Sequence, residues 1–528
     1  MLRFKNYFDE IKHTKSMKMN KFVKGAIILV VFNLVGKVIG AVYRIPLANL
    51  LGSVGIGEYQ LIFPLYSLML SISVSGIPVA ISKLVSEYNS KGMFGDVKRL
   101  IKLALVYLFS ISIVCMLLVI IGARFIAKIQ GNSEIYLCYY GIAPAILFVA
   151  ALSVYRGYFQ GQLNMLPTAL SGLIEQVGRL FFGLFLAQKF AGFGVIYGVL
   201  GAVVGISISE LIALLFLAIY YFIYSKKYAL KVSPVLTRKE ISKQLISTAI
   251  PITIGGLASP ITSIVDSLIV VNLLMFLGFG SGYSTSLLGL QSGIVDPIIN
   301  IPIVFAVSIA SSILPNLSSV YAKNDKKEVK NLIEKAFQIT LSVVLACAIC
   351  YVVFGKQILE FLYGRTLDNN ELLISTKLLL LGVINLIFLS LVYVSASILQ
   401  AMGKQKQAAK SILIGSAVKI IFTLLLVSVR NINILGAMLS GGISYVIVFL
   451  INYAHIKKET EARMSNIFPS LAIQELFVCL VAFFANMVLE VNFGSKIALF
   501  VGGMMSVFVF MISYYFLFLS HFHKKISS

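Results

Sequence analysis

The sequence predicts an all-α polytopic membrane protein of about fourteen transmembrane helices, arranged as two pseudo-symmetric six-helix lobes plus two C-terminal helices. Three observations predict it. Apolar residues make up 59% of the 528-residue chain, charged residues only 12%, and the mean hydropathy is +0.94, values outside the range of soluble globular domains. The apolar runs are long and continuous, beginning near residues 25, 59, 100, 137, 165, 194, 246, 286, 337, 372, 409, 432, 471 and 497. Each suits a spanning helix of about 20 residues rather than the weakly alternating ten-residue segments of a β-barrel. The pattern also repeats: residues 160–187 align without gaps on 400–427, with eight of 28 positions identical. The intramembrane cation recurs with it, as Arg179 in one copy and Lys419 in the other.

The order of elements follows from the loops. A basic N-terminal segment at 1–24 precedes an N-terminal lobe at 25–224, holding spans one to six. A basic linker at 225–245 leads to a C-terminal lobe at 246–455, holding spans seven to twelve, and 456–528 carries spans thirteen and fourteen with a short tail. An even number of spans per lobe gives both copies one orientation, related by an axis along the membrane normal. Residues 81–104 also resemble 313–336, sharing the spacing of Tyr88 and Tyr321. Both stretches mix charge with apolar residues at helical spacing, so short amphipathic interface helices are expected after spans two and eight.

The net charge of +23 is unevenly placed: 32 Lys and Arg fall in the termini and even-numbered loops, only eight in the odd-numbered loops. This is the positive-inside pattern, which puts both termini in the cytoplasm and accounts for the charge without nucleic acid. The first apolar segment carries Lys37 and Arg44 and has no small-residue cleavage site, so it reads as a retained helix and not a secretory signal. Trp is absent, leaving interfacial anchoring to the 25 Tyr and to snorkelling Lys. All five cysteines (Cys115, Cys138, Cys347, Cys350 and Cys479) lie in or near apolar runs and read as small packing residues.

Chemistry must come from polar residues inside the bilayer, because those are costly and seldom face lipid. On span one, Lys37, Gly40 and Arg44 fall on one helical face, a cationic stripe suited to water or anions. Span five carries Glu175 and Arg179 at i,i+4 with the acid first, the favourable order for an internal ion pair. Arg156 and Glu210 complete the first lobe's set. The second lobe offers Asp266 and Asp296, on spans interrupted by Pro251, Gly255, Gly256 and Pro260 and by Pro297 and Pro302. Such interruptions free backbone groups to line a cavity and supply bending points. Asp266 is expected to pair with a cation across the lobes, with a coupling proton or Na⁺ as the alternative.

Several classes are excluded. The Gly-Lys dipeptides at 36, 355 and 403 lack the Ser/Thr and the loop of a phosphate-binding GxxxxGK[ST] motif. The four His lie in tails or a loop, and no HExxH or Cys/His cluster occurs, so no metal or other cofactor is expected. Catalysis by an embedded glycosyl polymerase would need a large external loop; the longest candidate, 355–377, is short. The chain reads as a transporter and not an enzyme.

The segments KVIGAVYR at 37–44, SGIPVAISKLVSEYNSKG at 75–92 and YRGYFQGQLNMLPTALSGLIEQVGR at 155–179 resemble the stage V sporulation protein B group of the multidrug/oligosaccharidyl-lipid/polysaccharide exporter superfamily. The resemblance spans nearly the whole chain. It implies alternating-access flipping of undecaprenyl-pyrophosphate-linked saccharide, lipid II or a related cell-envelope precursor, across the bacterial cytoplasmic membrane. It also implies cavity cations at Lys37 and Arg44. Lys at 37, where relatives often show Arg, keeps the charge but loses the planar fork that grips phosphate in two bonds. The expected partners are the lipid-linked substrate and membrane lipids, with the chain acting as a monomer. The alternative is a cation-coupled multidrug exporter of the same superfamily, for which Asp266 or Asp296 would be essential and Arg44 dispensable.

Overall fold

The computed structural model describes residues 21–74, 76–227 and 233–515. The basic segment up to residue 20, linker residues 228–232 and the tail from 516 lie outside the described residues. Twelve described stretches are long and apolar enough to cross a membrane, and they account for thirteen crossings. The helix Lys21–Val74 is two crossings joined at Gly52, whose φ of 69° and ψ of −178° are not helical. Asn49 and Ser53, on either side of this glycine, both bond to the 362–371 loop, whereas Gly76 packs on the backbone of Ala249 at the opposite end. The fourteenth crossing is Ala258–Phe276, which includes the apolar stretch Ser263–Phe276. It follows Arg238–Gly256 across a break at Leu257, within the segment where prolines and glycines interrupt span seven.

The repeat is visible in the turns. Left-handed backbone occurs at Gly52 and Gly278, at Gly92 and Asn324, at Leu163 and Gly403, and at Gly194 and Asn433. Each pair joins corresponding spans of the two lobes. Even the turn hydrogen bonds match: Leu163 N donates to Gln160 O at 3.0 Å, and Gly403 N to Gln400 O at 3.0 Å. The end of the bundle bearing the Leu163 and Gly403 turns is called the near end below, and that bearing Gly52 and Gly278 the far end.

Burial then separates the two ends. One apolar cluster joins both lobes at the far end, running from Tyr43 and Leu47 through Val271 and Leu290 to Leu386 and Met438. At the near end the buried residues form two clusters, one around Ile81, Leu100 and Phe159 that also takes in Leu245 and Ala249 at the start of span seven, the other around Leu317, Phe337 and Leu399. Beside this span-seven contact, spans one, four and five of the first lobe face span eight of the second across a cavity.

Local chemistry accounts for the helix boundaries. Asp368 caps Asn369–Ala401 in a reciprocal box with Glu371, and Asp325 caps Lys326–Tyr363 by accepting from Glu328 N. The described part of the linker is docked rather than free: Val235 N and Leu236 N donate to the buried carboxylate of Asp96 at 3.0 and 2.9 Å. The amphipathic helix expected after span two exists as Ile77–Ser90. After span eight the equivalent stretch is instead the end of one long helix, Asp296–Ala322, because nothing there corresponds to the Gly76 break. Phe468–Phe493 packs on Lys326–Tyr363 and on the last span, with Gln338 donating to Ser470 at 3.3 Å across the first of these interfaces. In an apolar interface such amide bonds help to fix helix register.

Candidate functional site

The first lobe presents a cavity of about 550 Å³, walled by spans one, four and five and faced by Val304, Ser308 and Ser311 of span eight. Its polar lining includes Lys37, Arg156, Glu175 and the amides of Asn33, Gln160 and Gln176. Glycines on span one make room for Gln176: a Cβ at Gly40 would lie 3.2 Å from its Oε1, and one at Gly36 3.4 Å from its Cγ.

Behind this lining lies an ion network. Arg156 Nη2 donates to Glu175 Oε2 at 3.1 Å, and Arg156 Nε donates to Ser171 Oγ at 3.0 Å. Arg179 Nη2 reaches Glu175 Oε1 at 3.2 Å and Glu210 Oε1 at 3.4 Å. Gln176 Nε2 donates to Glu175 Oε1 at 3.0 Å, linking the network to the cavity surface. Two cations and two carboxylates balance one another. Among the described residues Lys37 has no carboxylate within ion-pair distance, so it carries the cavity's unbalanced charge.

Arg44 shares the face of Lys37 but not its cavity. It too has no carboxylate in ion-pair reach among the described residues. The second lobe's acids are elsewhere again. Asp266 and Asp296 line a separate space of about 410 Å³ between spans two, seven and eight, with Gln60, Ser67 and Ser292. The cation bound to Asp266 is Lys419, from within the same lobe. The expected cross-lobe pair is therefore corrected: span eleven packs directly on span seven, so the shortest route to a counter-charge lies inside the lobe. Among the described residues no group of His, Cys, Asp or Glu is arranged to hold a metal ion.

Sequence reasoning brought Lys37, Arg156, Glu175 and Arg179 to one region but overlooked Gln176, Gln160 and Asn33 as lining. The Gln160/Gln400 repetition was the available signal. Nothing local marks Gln176, which reaches the cavity only because the facing helix has glycines.

With this geometry in place, the comparisons are specific. A model of polysaccharide biosynthesis proteins matches residues 22–321, more than half of the chain, and a MatE model matches 291–425. The chain belongs to the polysaccharide biosynthesis protein family. It is 25% identical over 462 residues to the lipid II flippase MurJ of Bacillus subtilis (strain 168), covering 83% of each chain. It is also 25% identical over 449 residues to stage V sporulation protein B of the same organism, covering 84% of this chain and 85% of that one. Among solved structures, a lipid II flippase MurJ in an inward closed conformation superposes with a TM-score of 0.72 at 16% identity, covering 94% of this chain and all of that one. An inward-facing multidrug resistance MATE family transporter of the MOP superfamily gives 0.61 at 14% identity, over 80% and 95%. The family member described here is a multi-pass MOP-superfamily transporter and not an enzyme.

Proposed function

We propose that this transporter flips an undecaprenyl-pyrophosphate-linked saccharide, lipid II or a related cell-envelope precursor, from the cytoplasmic to the outer leaflet by alternating access. The observation that carries this reading is the unbalanced cation Lys37 in a cavity whose polar lining also includes the amides of Asn33, Gln160 and Gln176 and an Arg156 held in place by Glu175. A phosphate group supplies the missing negative charge, and sugar hydroxyls match the amides of Asn33, Gln160 and Gln176. The near end, carrying the basic loops, faces the cytoplasm with both termini, so the head group enters from the leaflet where such precursors are made. The isoprenoid tail stays in lipid, with spans thirteen and fourteen as its guide, and the chain works as a monomer in the cytoplasmic membrane.

A cavity for cationic drugs would invert the polarity, with a free carboxylate where Lys37 stands. The deciding experiment is depletion of the protein in its source cell with analysis of lipid-linked intermediates. Accumulation of one undecaprenyl-pyrophosphate saccharide, reachable only from the cytoplasmic face, is expected. An unchanged lipid pool together with increased sensitivity to cationic dyes would overturn the assignment.

A further inference from the structure

At the far end the two lobes hold each other by the same contacts made twice. Asn49, at the end of span one, donates its side-chain amide to Leu362 O at 2.8 Å, in the last turn of span nine. Asn272, at the end of span seven, donates to Ile129 O at 2.6 Å, the last residue of span three. The sequence repeats Asn-Leu-Leu at both donors, followed directly by the positive-φ Gly52 in one lobe and, after Met275, Phe276 and Leu277, by the positive-φ Gly278 in the other. Both acceptors are carbonyls of a helix's last turn, which have no donor within their own helix. Each asparagine thus satisfies an open helix end of the opposite lobe.

The backbones between these two points are reciprocal as well. A Cβ on Gly57 would fall 2.0 Å from Thr285 O, and one on Gly289 would fall 2.1 Å from Ser53 O. Residues 57 and 53 of the first lobe correspond to 289 and 285 of the second, so this is one contact and its symmetry mate. Gln60 Nε2 then donates to Ser292 O at 2.6 Å, its own counterpart across the axis. No side chain larger than hydrogen fits at either glycine while the backbones remain this close.

We infer that Asn49 and Asn272 are the paired latches of one far-end gate, closed over the Gly57–Gly289 crossing, and that both must release in the same step for the central space to open outward. Contacts related by the axis are broken by one relative rotation of the lobes, so neither latch can let go alone. The gate belongs to the transport cycle whatever cargo is carried, and its test uses no substrate.

The reporter is Ser67→Cys, in the space beneath the crossing, with the five native cysteines replaced by alanine. The readout is its labelling rate by a membrane-impermeant thiol reagent, in right-side-out and in inverted vesicles. Asn49→Ala and Asn272→Ala are each expected to raise labelling from the far side about fivefold, the change given by a hydrogen bond worth about 1 kcal/mol at 1.4 kcal/mol per tenfold. The double variant should rise about 25-fold, because the two losses act on one equilibrium. Gly289→Ala should raise far-side labelling with both latches intact, by wedging the crossing apart. Chain amount and monodispersity in detergent check the fold, and if the double variant does not accumulate, the two singles and Gly289→Ala decide. Far-side labelling unchanged in the singles and in Gly289→Ala, or a double variant no faster than one single, overturns the paired gate.

Discussion

Arg179 and Lys419 stand at matching positions of the two lobes, yet they are held differently. Arg179 bonds to two carboxylates, Glu175 and Glu210, and through Glu175 it is tied to the cavity-lining Arg156. Among the described residues Lys419 has one carboxylate partner, Asp266. A guanidinium presents several fixed donors and bridges two acids, whereas an ammonium is a point charge satisfied by one close partner. The scaffold was duplicated, down to the positive-φ residue in four pairs of turns, and the chemistry was not. In the first lobe the cation serves a network beside a cavity of about 550 Å³; in the second it neutralises an acid at the lobe boundary.

The difference can be broken most forcefully at Glu175. Glu175→Leu leaves Arg156 and Arg179 facing each other with only Glu210 between them. Removing one member of such a buried pair costs about 3–5 kcal/mol, so a large fall in the thermal midpoint of the detergent-solubilised protein is expected. A midpoint unchanged within error would mean the network holds nothing together.

Lys37 tests the other half of the comparison, since it has no carboxylate partner to lose among the described residues. Lys37→Glu should leave folded yield near normal and lower flipping of a labelled lipid-linked saccharide in proteoliposomes roughly a hundredfold, the upper range for a charge-assisted bond. Arg44→Glu should also abolish transport with the fold retained, and Arg44→Lys should be intermediate because it keeps charge without the planar fork. Normal flipping in Arg44→Glu would remove Arg44 from the substrate path.

In the second lobe, Asp266→Asn retains an acceptor for the Lys419 ammonium but not its charge. A loss of about 2 kcal/mol is expected. Adding Lys419→Met should restore most of it, since two apolar or neutral groups replace a buried pair at little cost. A double variant less stable than Asp266→Asn alone would show that Lys419 has a further partner.

The smallest effect lies in the turns. Leu163 adopts φ 55° where its counterpart Gly403 adopts φ 75°. A side chain in that region costs about 1–2 kcal/mol, so Leu163→Gly should stabilise by about 1 kcal/mol and Gly403→Leu should destabilise by a similar amount. Equal and opposite shifts in unfolding midpoint would confirm that the turns are one structure used twice. No gain for Leu163→Gly would show that its side chain contributes packing that offsets the strain.

How far the site was legible depended on sequence distance. Glu175 and Arg179 pair as their four-residue spacing requires, because helix geometry alone brings them together. Lys37 and Arg44 share a face for the same reason. Seven residues also separate them by about 10 Å along the axis, and that rise leaves Lys37 in the cavity lining and Arg44 outside it. Asp266 and Lys419 lie 153 residues apart, and no periodicity relates them. Gln176 enters the cavity only because Gly36 and Gly40 of another helix leave it room.

The sequence by itself determined what local physics and composition can fix. Apolar runs longer than any soluble helix needs set the spans, their recurrence set the two lobes, and the spacing on single helices set which residues share a face. The tertiary structure decided at which end the two lobes share a core, which acid neutralises which cation, and which intramembrane cations lack a carboxylate partner among the described residues. Those outcomes depend on how helices from different parts of the chain cross, and in an apolar solvent the crossings are chosen by close packing of small residues such as Gly57 and Gly289. That choice is made between surfaces, and no single segment carries it.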